Sequence, residues 1–347
     1  MKAWVVIYSL LLLILSDQLA FSQTANIDSL SVIVSAEVRW VNQFPSPKSN
    51  HLRKKRTVGD IFSLLVGEKS NQRLELSKPV GVYAIDPHEI WILDHGNTNI
   101  IKIRNDKAKI MKAFSRQKVI YQSLIGICYS PGSGILFTDS RMDKIISLKN
   151  EKKGVSFISD TVKLNQPTGL AWNVSKSELW VVETAAHRIT IFDETGRRIR
   201  SFGSRGNGKG EFNFPTSIWI DEKGYVYIVD TLNYRVQIFD LHGNFISSFG
   251  GAGNSSGYFA SPKGIATDSY GNIYVVDALF HVVQIFDKQG HYLYSFGSQG
   301  REAGQFWMPS GIFIDEQDNI YVADSYNSRI QIFTLTSIVK KNEAKHN

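Results

Sequence analysis

With 347 residues, of which 43% are hydrophobic and 20% charged, the chain can bury a large core, which excludes a disordered protein. A single cysteine, Cys128, rules out an internal disulfide, and neither a haem-attachment motif nor a Cys/His zinc cluster is present. The formal net charge of +7 suits contact with anionic lipid, polysaccharide or acidic protein.

Residues 1–22 read as a signal peptide: Lys2 is followed by an apolar run from Val5 to Leu15, and Ala20-Phe21-Ser22 offers small residues for cleavage after Ser22. That run is well short of the roughly 20 residues a membrane helix needs, and no other stretch is long enough. The expectation is a secreted or periplasmic protein with no membrane span after signal removal and no nucleic-acid partner. Residues 23–58 read as a linker, because "NQFPSPKSNHLRKKR" from Asn42 is proline-broken and then basic.

From residue 59 to 338 one pattern repeats. The signature (Pro)-x-Gly-apolar recurs every 43 to 48 residues, with Gly81, Gly126, Gly169, Ser217, Gly264 and Gly311 at its third position. Each signature begins an apolar strand, and a polar turn leads to a second strand: "IWILD", "ILFTD", "LWVVE", "VYIVD", "IYVVD" and "IYVAD". These are apolar at odd and even positions alike, so both faces of each small sheet must be covered. Four-stranded units of about 45 residues stacked face to face predict an all-β, six-bladed β-propeller. The sixth unit lacks its fourth strand, and the segment at 60–66, beginning "DIFSLL", is expected to complete that blade and close the ring. Residues 339–347 read as a tail.

The units resemble the NHL-repeat family of six-bladed propellers, as in "PTSIWIDEKGYVYIVDTLNYRVQIFDLHGNFISSFG" at 215–250, and the chain looks most like its exported bacterial members. The likeness is weaker in blades one and two, where "DHGNTNIIKIR" and "DSRMDKIISLK" depart from the pattern.

The second strands end in a column of acids, Asp94, Asp139, Glu183, Asp230, Asp277 and Asp324, and four blades place a cation five positions later (Lys144, Arg188, Arg235, Arg329). The column is expected to be mainly structural, each carboxylate taking backbone N–H groups and a neighbouring cation. Asp277 lacks that cation, because Val282 occupies its place. Four residues after the acids come Thr98, Asp143, His187, Tyr234, His281 and Ser328, which the repeat puts on one face of the disc. Asp143, His187, Tyr234, Asp277 and His281 are therefore the candidate binding residues.

The six-bladed peptidyl-hydroxyglycine lyases resemble this arrangement, with a zinc held by histidines. Only His187 and His281 stand in register here, with His95 offset, so no metal, cofactor or catalytic residue is assigned. "GNGKG" at 206 lacks the ending of a phosphate loop and reads as a turn between blades, while Phe212, Phe214, Tyr258, Phe259, Phe306 and Trp307 are expected mainly to plug the gaps between them, with a minority rimming a binding face. The resulting expectation is a monomeric, rigid binding or scaffold module for a protein or carbohydrate partner in the cell envelope. The alternative is a metal-dependent lyase or hydrolase.

Overall fold

The computed structural model describes residues 19–27, 30–45, 75–105, 107–111, 121–149, 154–159 and 161–341. Five four-stranded antiparallel sheets and one five-stranded sheet make the six blades of a β-propeller. Blade four shows the plan: Pro215–Ile220 lies innermost, followed outward by Val226–Asp230, Arg235–Phe239 and Phe245–Gly250.

Burial explains the composition of each strand. The second strands Glu89–Asp94, Glu178–Glu183, Val226–Asp230 and Ile273–Asp277 are buried at every residue, as their unbroken apolar runs require. The outermost strand Phe245–Gly250 alternates between half-buried and exposed residues, because one of its faces meets water. Phe212, Phe259 and Phe306 are fully buried between blades, each beside the phenylalanine of a third strand: Phe239, Phe286 and Phe333.

The signature glycines close the ring. A Cβ on Gly169 would lie 2.8 Å from the Ser217 Cα of the next blade, and one on Gly264 would lie 2.6 Å from the Ser310 carbonyl oxygen. Gly126 meets Thr168 in the same way, and Gly311 of blade six meets Val80 of blade one. The innermost strands thus touch in an unbroken cycle around the axis. Register shifts follow the signature proline or its leucine equivalent in blades one to five, for example between Pro262 and Ile265. Irregularities of this kind bend the strand locally.

The last blade is completed by an N-terminal strand, as expected, but its identity differs. Leu30–Phe44 runs antiparallel to Arg329–Lys341, with Trp40 opposite Phe333 and Gln43 opposite Gln331. It falls inside the stretch read as linker, and the segment expected at 60–66 lies outside the described residues. The misreading has a physical source. The segment at 60–66 lies nearest in sequence to the first strand of blade one, whereas "LSVIVSAEVRWVNQF" carries β-branched and aromatic residues suited to a strand. The strand Arg329–Lys341 also runs three residues past the expected end of the propeller at 338. Leu19–Ile27 pairs outside Leu30–Phe44 and spans the expected cleavage point at Ser22, so cleavage there would leave the closing strand intact.

A chain starting at residue 46 should lose the closure, expose the edge of Arg329–Lys341 and aggregate, with a lower unfolding temperature. A chain starting at residue 23 should unfold like the full chain. Size-exclusion chromatography and thermal denaturation test the pair.

Candidate functional site

The turns between second and third strands gather on one face of the disc, here called the upper face. Each turn begins at a second-strand acid, and all six acids are completely buried. Asp94 accepts the Ser77 and Lys78 N–H groups at 3.0 and 2.7 Å, Asp230 accepts Asn213 N–H at 2.6 Å, and Asp324 accepts Trp307 N–H at 2.7 Å. The donors belong to the chain just before the innermost strand, so each carboxylate fixes where its blade begins. Arginines complete three of them: Arg188 lies 2.8 Å from Glu183, Arg235 2.8 Å from Asp230 and Arg329 2.7 Å from Asp324. Burial pushes the Asp324 carboxyl above the usual range, against the opposing effect of its donors.

Asp277 replaces the missing arginine with backbone. It accepts Ala260 N–H at 2.7 Å, Ser261 and Leu279 N–H at 3.1 Å, and Phe280 N–H at 3.2 Å. The nearby positive charge is Lys263, from the innermost strand of the same blade.

The residues four positions after the acids, Thr98, Asp143, His187, Tyr234, His281 and Ser328, all adopt the left-handed conformation, with φ from 48° to 59°. Several latch one blade to the next. Asp143 accepts Gln166 N–H at 2.7 Å, and His187 Nδ1 accepts Phe214 N–H at 3.1 Å. His281 Nδ1 accepts Met308 N–H at 3.1 Å, and Ser328 Oγ donates to the Ser77 carbonyl at 2.7 Å. Tyr234 is half-buried against the apolar cluster that joins blades four and five.

The five candidate residues therefore sit in four different blades. Two of them, His187 and Asp277, are buried. A neutral imidazole that accepts a hydrogen bond at Nδ1 carries its proton on Nε2, so His187 and His281 have no free ring lone pair for a metal. His95 is the reverse: its Nδ1 faces the Leu124 carbonyl at 3.2 Å and must donate. Among the described residues, no group of three or more His, Cys, Asp or Glu side chains is placed to hold a metal ion.

Two sets of functional residues escaped the sequence reading. One is a set of hydroxyls directly after the acids: Thr184 Oγ1 donates to the Pro215 carbonyl and Ser325 Oγ to the Pro79 carbonyl, each at 2.7 Å. The acid column was enough to locate them. The other is the wall of a cavity of about 1070 Å³ along the propeller axis, to which the innermost strands of all the blades contribute. Tyr83, Tyr129, Trp172, Trp219 and Phe313 bring rings to this wall from five of the six blades. The rings of Tyr83 and Phe313 are 4.4 Å apart and those of Trp219 and Phe313 5.7 Å, while Trp219 Nε1 donates to Thr267 Oγ1 at 2.9 Å. Cys128 also reaches the wall, and burial pushes its thiol up, leaving a small inert hydrophobe.

Over residues 159–250 and 265–347 the chain matches the DUF5128 family, described as 6-bladed beta-propeller, and it belongs to that family. No curated protein matches it in sequence. An auxiliary nutrient binding protein of Bacteroides thetaiotaomicron is similar in structure, with a TM-score of 0.59 and 16% identity, over 75% of this chain and 70% of that one. Virginiamycin B lyase of Staphylococcus aureus is similar with a TM-score of 0.55 and 16% identity, over 76% and 98% of the respective chains. A gluconolactonase of Xanthomonas campestris gives 0.59 and 11%, over 76% and 87%. Identities this low establish a shared fold and no more.

Asp230→Ala leaves the Arg235 guanidinium in a mostly buried site without its carboxylate, and should cost about 3–5 kcal/mol in urea unfolding. His281→Ala orphans the Met308 N–H and should cost about 1–3 kcal/mol. His281→Asn, which tolerates the left-handed backbone and offers a carbonyl acceptor, should recover most of that loss.

Proposed function

We propose that the protein is an exported binding module of the cell envelope, built on an NHL-like repeat, which captures a carbohydrate in the axial cavity. The cavity itself carries this reading: it is large enough for a few sugar rings, mostly apolar, and lined by aromatic side chains flanked by backbone and hydroxyl groups. A rigid frame with a preformed cavity lowers the ordering cost of binding. The structural likeness to auxiliary nutrient binding proteins and the signal-like N-terminus support the same direction.

A protein partner is the second reading. Leu232, Leu279 and Tyr326, in the upper-face turns of blades four to six, are 48%, 54% and 54% exposed and offer apolar anchors for it. The lyase reading has less support, because His187 and His281 already use Nδ1 to hold the next blade.

Titration of the mature chain with a panel of mono- and trisaccharides should change the tryptophan fluorescence, and Trp219→Ala should weaken capture at least tenfold. If no sugar perturbs the signal while an envelope protein is bound in a Leu279- and Tyr326-dependent way, the carbohydrate reading gives way to the protein one.

A further inference from the structure

The two ends of the axial cavity carry opposite charge. At the lower end the turns between first and second strands contribute Asp86, Asp221, Asp268, Asp315 and Glu316. The upper end is lined by the residues after the signature proline, which include Thr168, Thr216, Ser310 and one cation, Lys263. Lys78, just before Pro79 in blade one, brings a second cation to the same end. Blade six alone separates the two lysines in the ring.

Neither lysine is neutralised by a dedicated partner. The Lys78 ammonium lies over the half-exposed Tyr326 ring, 5.0 Å from its centre, at the edge of the cavity. Lys263 is half-buried, and its ammonium makes no hydrogen bond or ion pair with any described residue. Asp277 lies near enough to act on it electrostatically, but that carboxylate is occupied by backbone N–H groups. Desolvation and the repulsion of Lys78 outweigh Asp277 and hold Lys263 below the ordinary lysine range. A half-buried, unpaired cation beside a like charge is unfavourable in the empty protein, and an anion between the two would relieve it. The hydroxyls of Thr168, Thr216 and Ser310 are engaged with those of Thr184, Thr231 and Ser325, which leaves the two ammonium groups to meet the anion, while the lower carboxylates repel an anion from the opposite end.

We infer that the ligand of this cavity is an acidic sugar, with its carboxylate held at the upper end by Lys263 and Lys78 and its ring against the aromatic wall below. The inference rests on the carbohydrate reading of the cavity and narrows it to one substrate class.

The test is calorimetric titration of the mature chain at low salt with two matched pairs of probes: glucuronate against glucose, and trigalacturonate against galactotriose. The acidic member of at least one pair should bind tenfold or more tightly than the neutral one. Lys263→Gln should abolish that preference and Lys78→Gln should reduce it, with thermal unfolding preserved in both. Lys223→Gln, which removes a cation at the lower end, should leave the preference intact. Neutral sugars bound as well as acidic ones, with Lys263→Gln silent, would overturn the acidic assignment and leave the carbohydrate reading standing. If neither member of either pair binds, both ideas fail together.

Discussion

A carboxylate shut away from water fixes the start of every blade. Taking such a group out of solvent is expensive unless donors surround it, and here they come from the chain that is about to become the innermost strand. The acid column therefore does more than end a strand: it sets the height and angle at which the proline signature arrives at the axis. With that height set, the signature glycine of five blades comes against the next blade's backbone, and the ring of innermost strands closes. The left-handed latch residues and the hydroxyls after the acids act between neighbouring blades, so each one is built partly by the blade beside it.

The same constraint explains why so much of the fold was legible. Acid, proline, glycine and apolar strand recur at fixed spacing because each answers a local steric or electrostatic demand that every blade shares. The closing strand was harder to place, since no neighbour in sequence identifies it. Only its pairing with Arg329–Lys341, nearly the whole chain away, distinguishes Leu30–Phe44 from any other alternating segment. The histidines were misleading for a related reason. Their spacing is that of a site, but their ring nitrogens face backbone N–H groups, and sequence does not show the direction of a hydrogen bond.

The cavity wall was legible in principle and was missed. Two residues beyond each signature position stand Tyr83, Cys128, Ala171, Trp219, Ala266 and Phe313, all of which line the cavity except Ala266. Large rings fall in blades one, four and six and small side chains in blades two, three and five. Small side chains at three of the six positions leave room that six rings would fill, and Tyr129 and Trp172, one position further on in blades two and three, add rings to the wall. The cavity is thus a consequence of unequal residues at equivalent positions, and a search for shared features passes over it.

That contrast separates framework from function in this molecule. A residue type that recurs in every blade must satisfy a requirement of blade geometry, because six different ligand contacts would not converge on one side chain. The buried acids meet this criterion, and their hydrogen bonds account for it. A residue that occurs once at a repeated position has no such explanation. Lys263 stands where the other blades carry valine, isoleucine, threonine or serine, and its charge is not needed to hold the strand, which its five equivalents hold without one. Its half-buried ammonium is a standing electrostatic burden on the folded state, opposed only by an Asp277 carboxylate already bonded to backbone. A burden of this kind, placed at the upper end of a cavity with an aromatic wall and an acidic lower end, is what the proposed binding of an anion would relieve.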